Sequence, residues 1–221
     1  MMVSAAPACP ARLRLATWLL AILAAVGAPS AAEATSSFMP LSDPTEAPEG
    51  YVEFCTRFPV DCRPAKKPSR AVVLTDERWV ELVETNRSVN AAVRPVTDRA
   101  YYGRSEFWTY PIEAGDCEDY VLLKRRLLME KGWPASVLLI TVVRDENGEG
   151  HAVLTVGTDR GDLILDNRTD TVLPWALTLY HYVKRQEVED PSTWVRIIDQ
   201  RGTSAVGSIR PQQSPPARTG R

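Results

Sequence analysis

From residue 76 to residue 93 the chain sets Trp79, Leu82, Val83, Asn86, Val89 and Val93 at steps of three and four, with charged and polar residues between them. That period predicts an amphipathic helix whose stripe covers a core, with Thr75 to cap its start and Pro95 to stop it. A second helical period runs over residues 117–131, where Tyr120, Leu123 and Leu127 share a stripe, Val121 and Leu128 lie beside it, and Gly132 supplies the stop. The period then changes. Residues 137–143 (VLLITVV) are continuously apolar, 151–156 (HAVLTV) and 163–166 (LILD) follow across the turns DENGEG and GTDRGD, and 180–184 and 195–199 read as further strands. Helices followed by an antiparallel run of strands predict an α+β domain.

The two ends lack such a period. Arg12 and Arg14 precede an apolar run over residues 15–26, and the small residues Ser30, Ala31, Ala32 and Ala34 follow, the pattern of an export signal cut near Ala32. The run is shorter than the roughly 20 residues that span a bilayer, which argues against a membrane anchor. Residues 33–50 are rich in Pro, Ser, Thr and Glu and read as an extended lead-in; residues 201–221 have the same character with basic charge and read as a tail. Both ends are expected to be disordered and to carry no catalysis. The expected division is a signal peptide at 1–32, the lead-in at 33–50, one domain at 51–200 and the tail at 201–221.

Charge sharpens the picture. The net charge of −2 conceals a segregation, because residues 33–200 hold all 28 acidic residues against 20 basic ones, about −8 by count. An acidic body argues against a nucleic-acid partner, which would need a basic stripe to neutralise phosphates. It suits a protein that works on other proteins or near divalent cations.

Candidate chemistry begins with the cysteines. Cys9 falls in the export signal, and Cys55 and Cys62 share the Pro-containing stretch FCTRFPVDCRP, which in an oxidising compartment predicts a disulfide and leaves Cys117 as the odd thiol. Cys117 falls in the first turn of the second helix, where unpaired N–H groups and the positive end of the helix dipole favour a thiolate. Such a nucleophile needs a base that can also protonate a leaving amine, and the chain has 2 histidines. His151 opens a strand directly after a turn, and Asp166 closes the neighbouring strand 15 residues later, so an antiparallel pairing brings the start of one beside the end of the other. Read singly, the three are a buried thiol, a turn histidine and a strand-end aspartate. Together Cys117, His151 and Asp166 match the roles of nucleophile, base and orienter in acyl transfer. His181, between two tyrosines on a strand, reads as structural.

These residues resemble a known family. GDCEDY around Cys117, Trp108 upstream of it, GHAVL around His151 and LDN at Asp166 look like the bacterial transglutaminase-like cysteine peptidases, over about residues 50–199. That group includes the periplasmic protease that releases a large biofilm adhesin from the cell surface. The resemblance implies a papain-like fold in its transglutaminase variant, the nucleophile helix packed on an antiparallel sheet, and a Cys117–His151–Asp166 triad. It also implies a periplasmic thiol protease acting on a protein substrate such as a surface adhesin, restrained by an inner-membrane receptor responsive to a cyclic dinucleotide. It further implies calcium held by acidic residues flanking the nucleophile, here Asp116 and Glu118 with Asp119. Chemistry supplies a separate motive, since three carboxylates beside Cys117 repel its thiolate and a hard cation on their oxygens removes the conflict. The alternative is a metal-free helix start, with Asp116 as cap and Glu118 and Asp119 as favourable first-turn acids.

Oxyanion stabilisation has two candidate donors, the backbone N–H of Cys117 and the indole N–H of Trp108, although Trp108 reads equally well as a packing aromatic. The aromatic segment 101–110 either lines a cleft or belongs to the core. Two other functions fit the same residues. One is transamidation, in which an amine replaces water as acceptor; the other is a non-catalytic module of this fold that binds calcium or a partner through its acidic patch.

Overall fold

The computed structural model describes residues 36–201. In chain order these form β1 (Leu41–Thr45), α1 (Glu49–Arg57), α2 (Asp76–Ala92), β2 (Arg94–Pro95), α3 (Asp98–Tyr101), β3 (Ala114–Gly115) and α4 (Cys117–Glu130). The second half is β4 (Leu138–Arg144), β5 (Gly150–Thr158), β6 (Gly161–Leu165), β7 (Leu173–Pro174), β8 (His181–Gln186) and β9 (Trp194–Ile197). The layout is α+β, as the periodicity predicts. Seven strands make one sheet in the order β1-β9-β8-β4-β5-β6-β7, every neighbour antiparallel.

Both faces of the sheet are covered, which is why its central strands are almost continuously apolar. On one face Val121, Leu122 and Leu128 of α4 meet Leu138, Ile140, Leu154 and Val156 in the main core, joined by Tyr51 and Phe54 of α1. On the other, Val143, Val153 and Ile164 meet Met39, Trp175 and Tyr182.

The helices differ in detail from their predicted stripes. Thr75 does cap α2, its Oγ1 accepting the Arg78 N–H at 3.3 Å. The buried face, however, is Leu82, Thr85, Asn86 and Val89, while Trp79 stands 40 % exposed. The reason is that α2 turns polar side chains inward, where Asn86 and Asn90 bond the turn after β6. Helix α4 is enclosed by the sheet and α2 on different sides, so no single stripe describes it; it buries Lys124 and Arg125 along with its apolar residues.

Residues 36–50, expected to form a disordered lead-in, belong to the domain. Strand β1 pairs with β9, the Met39 N–H donates to Asp162 Oδ2 at 2.8 Å, and Trp175 Nε1 donates to the Ser36 carbonyl at 2.9 Å. An edge strand needs hydrogen bonds on one side alone, so Pro40 and Pro44 are tolerated there and the segment carries no alternation to read. At the other end Arg201 is anchored on Asp199 at 2.7 Å and on the Trp175 carbonyl at 2.7 Å. The expected signal peptide at 1–32 and residues 202–221 of the expected tail lie outside the described residues. The Cys55–Cys62 disulfide is formed and ties α1 to the loop that follows it.

Candidate active site

Cys117 is the first residue of α4, and the chain leading to it is fixed on both sides. The short parallel pair β2–β3 ties it to the end of α2 through Arg94 N–H to the Glu113 carbonyl (2.9 Å) and Val96 N–H to the Gly115 carbonyl (3.0 Å). From the helix side Asp119 Oδ1 accepts the Thr109 N–H at 2.8 Å. A Cβ at Gly115 would stand 2.4 Å from Asp119 Oδ2, so the tightness of this approach requires glycine. Cys117 opens onto a cleft of about 340 Å³ whose walls include Glu106, Trp108, Glu118, His151, Ala152 and Lys184. Its thiol donates to Glu118 Oε2 at 3.0 Å. Burial first, then the charge and hydrogen bond of Glu118, push the thiol pKa well up, opposed by the Ala152 N–H. Burial, with Glu118 beside it, therefore outweighs the helix-start effect that favours a thiolate.

His151 stands on β5 opposite Val143, and Asp166 follows the last residue of β6. The hairpin brings them together with His151 Nε2 2.9 Å from Asp166 Oδ1, both side chains buried. Because Nε2 faces the carboxylate, Nδ1 is the nitrogen left for other work. Burial alone would raise the Asp166 pKa; the His151 hydrogen bond and charge, the Tyr180 O–H on Oδ2 and the Arg168 N–H on Oδ1 hold it below the usual carboxylate range.

Residues 41–202 match the family described as bacterial transglutaminase-like cysteine proteinase. The chain belongs to this family. Solved structures similar to the proteinase include Legionella pneumophila LapG in a calcium-bound form, 22 % identical over 66 % of this chain and 78 % of that chain, with a TM-score of 0.46. A second LapG structure is 25 % identical over 53 % and 68 % at a TM-score of 0.45, and an EGTA-treated form is 23 % identical over 56 % and 69 % at 0.46. A search of curated proteins finds no relative of the chain.

The proteinase gathers its acids differently from the sequence expectation. Among the described residues, Asp98, Asp116 and Glu118 each offer an oxygen to a group whose members lie within 4.8 Å of one another. Asp119 instead braces Thr109, so the third carboxylate of the group is Asp98 on α3. The capping alternative for Asp116 is not what the geometry gives: its side chain caps no amide of α4, and Oδ2 accepts the Asp98 N–H at 3.0 Å. Burial raises the pKa of Asp98 and Asp116, and burial with the nearby Asp116 charge takes Glu118 to about 9. Oδ1 of Asp98 and Oδ1 of Asp116 are buried without a hydrogen bond among the described residues. Converging, desolvated, underused carboxylate oxygens fit a hard cation such as calcium, which takes oxygen ligands and relieves their mutual repulsion.

The remaining predicted residues separate cleanly. Trp108 is buried and lines the proteinase cleft, but its indole N–H donates to Glu106 Oε2 at 2.9 Å. His181 is 64 % exposed on its side chain, 3.8 Å from Asp199, and stands apart from the cleft. Sequence reasoning missed Tyr180, whose ring packs 5.3 Å from His151 and whose hydroxyl donates to Asp166. No strand register marks it, since Tyr180 lies just before β8; it is Tyr182, two residues on, that stands in one row with Val143 and His151 across β8, β4 and β5.

Proposed function

We propose that the proteinase cleaves a peptide bond through an acyl-enzyme on Cys117, with His151 as base and Asp166 as the residue that orients it. The observation that supports this best is His151 Nε2 on Asp166 at 2.9 Å in a histidine that shares its cleft with the one free thiol among the described residues. His151 Nδ1 takes the thiol proton, Sγ bonds to the carbonyl carbon, and the resulting imidazolium returns the proton to the nitrogen as the C–N bond breaks. Water, deprotonated by the same ring, then splits the thioester and restores the thiol. The Cys117 N–H heads α4 and has no intrahelical acceptor, which suits it to the oxyanion. Trp108 serves as second donor once its indole releases Glu106.

In this reading Asp98, Asp116 and Glu118 hold calcium, which when bound supplies the positive charge that offsets their repulsion. Glu118 is the link to catalysis, because the carboxyl that accepts the hydrogen bond of the Cys117 thiol belongs to the same trio. The substrate is an exported protein, with a surface adhesin as the class the family resemblance implies, and the setting is the periplasm, with an inner-membrane receptor as restraint. The export signal read at residues 1–32 supports that setting; no helix among the described residues is long and apolar enough to cross a membrane.

Iodoacetamide tests the chemistry without a known substrate. Labelling at Cys117, read by peptide mass near neutral pH, is expected to be fast in the native protein, slower in His151→Ala and slower again in EGTA. A rate indifferent to both changes would mean an ordinary thiol and would sink the reading. Incorporation of a primary amine into a protein acceptor would turn it towards transamidation.

A further inference from the structure

The link between β7 and β8 carries Tyr180, yet little within the link accounts for its holding still. A 3-10 turn spans Trp175–Leu177, and residues 178–180 after it belong to no helix or strand. Leu177 and Leu179 are 69 % and 76 % exposed, so burial does not fix the chain on the approach to Tyr180. A link of this kind is drawn from the easily opened end of a fold unless something outside it ties it down.

Arg201 is what ties it. Its Nη1 donates to the carbonyls of Trp175 at 2.7 Å and Thr178 at 3.2 Å, and its Nη2 donates to the carbonyl of Tyr180. Nε and Nη2 also grip the two oxygens of Asp199 at 2.8 and 2.7 Å, the paired geometry that fixes the plane of a guanidinium. Asp199 is itself buried and accepts the Tyr182 N–H at 2.9 Å, while Cζ of Arg201 lies over the rings of Trp175 and Tyr182 at 4.6 and 5.0 Å. A rigid fork thus gathers three carbonyls of the link, the last of them on Tyr180. The path then enters the site: the Tyr180 hydroxyl donates to Asp166 Oδ2, and Asp166 Oδ1 meets His151 Nε2 at 2.9 Å. Every step from Arg201 to the His151 ring is a hydrogen bond or a residue that joins two of them.

We propose that Arg201, aimed by Asp199, is a positioning residue of the active site: it fixes the backbone of Tyr180 so that the hydroxyl stays on Asp166 and the carboxylate holds the His151 ring. The inference rests on Asp166 being the orienting acid.

The test is Cys117 labelling by iodoacetamide in the full chain well below its melting temperature, with the His151 ring N–H followed by proton–nitrogen NMR on protein carrying isotope-labelled histidine. Arg201→Lys keeps the charge and the stem over the aromatic rings but has no planar fork to span three carbonyls. It is expected to label about tenfold more slowly and to move the His151 resonance in the direction in which Tyr180→Phe moves it. In a Tyr180→Phe background it is expected to add nothing to either readout, since its effect passes through the lost hydroxyl. A merely structural clamp would lower the melting temperature with rate and resonance native, or would slow labelling further in Tyr180→Phe, and either result would overturn the inference. Asp199→Asn, which removes the carboxylate that aims the guanidinium, is expected to show the same slowing and the same lack of additivity, and it decides the matter should Arg201→Lys not fold. Native labelling rates in both variants beside a slow Tyr180→Phe would overturn this inference alone. A native rate in Asp166→Asn would overturn it together with the triad on which it rests.

Discussion

Each oxygen of the Asp166 carboxylate has its own protein donor. Oδ1 accepts from His151 and from the Arg168 N–H, and Oδ2 from the Tyr180 hydroxyl, so the plane of the carboxylate, and with it the tilt of the imidazole, is set from two directions. Tyr180→Phe removes one donor and keeps the ring against His151. A hydrogen bond to a charged group contributes roughly 1.5–3 kcal/mol, so labelling of Cys117 is expected to slow by about ten- to a hundredfold. The stability effect has a definite sign with pH. Asp166 has a depressed pKa in the folded state, so its contribution is full above the unfolded value and disappears as pH falls through the folded one. Melting curves of Tyr180→Phe should therefore lie below those of the native protein at pH 7 and draw together with them as pH falls through the depressed folded pKa of Asp166, below the usual carboxylate range; a constant gap would assign the difference to packing.

At the scale of elements, what was legible is what repeats. Helices α2 and α4 and strands β4, β5, β6, β8 and β9 carry a period long enough to read, and the His151–Asp166 meeting follows from one hairpin whose turn is short. Helix α1 is a 9-residue helix beginning directly after Pro48, and strand β1 (LSDPT) is a polar, mostly exposed edge strand containing Pro44, so neither shows an apolar period. The Asp98 contact was out of reach for a different reason: it lies 18 residues before Asp116, and the two converge through β2–β3, a pair of two-residue strands with no sequence signature. Helix α1 also proves to be the back wall of the cleft. A Cβ at Gly50 would stand 2.4 Å from Trp108 Cδ1, and Tyr51 meets both Trp108 and Trp194 edge-on at 5.7 and 5.5 Å. Helix propensity alone favours Gly50→Ala by about 1 kcal/mol, whereas overpacking a filled site costs roughly 1–3 kcal/mol. The clash is with a buried indole that has little room to yield, so the second effect should win. The denaturant midpoint of Gly50→Ala is expected to fall, and Cys117 labelling to change with it as Trp108 shifts; a raised midpoint would show that the indole gives way freely.

Taken over the whole molecule, part of the acid in residues 33–200 sits where it is least comfortable, in the buried carboxylates of Asp98, Glu118 and Asp119 and the half-buried one of Asp116 around the start of α4. Burial raises all of them, Glu118 to about 9 and Asp119 to about 8, with Asp98 and Asp116 also shifted upward. A carboxyl whose pKa is higher folded than unfolded binds more protons in the native state between the two values, so stability falls as pH rises through that window. Lys124 works in the opposite sense, but its window opens near its folded value of about 7 and extends upward. Between pH 5 and pH 7 the acids act with little interference from it. In EGTA the melting temperature is therefore expected to fall across that interval, and calcium should offset the fall by an amount that grows with pH, since the ion competes with the protons for the same oxygens. At a hundredfold excess over its dissociation constant the ion would add about 2.7 kcal/mol. Asp98→Asn should blunt the calcium response while flattening the pH dependence in EGTA. If melting were flat with pH and indifferent to calcium in the native protein, the carboxylates would be ordinary acids around a helix start, and Glu118 would keep its hydrogen bond from the Cys117 thiol with no cation to draw it away.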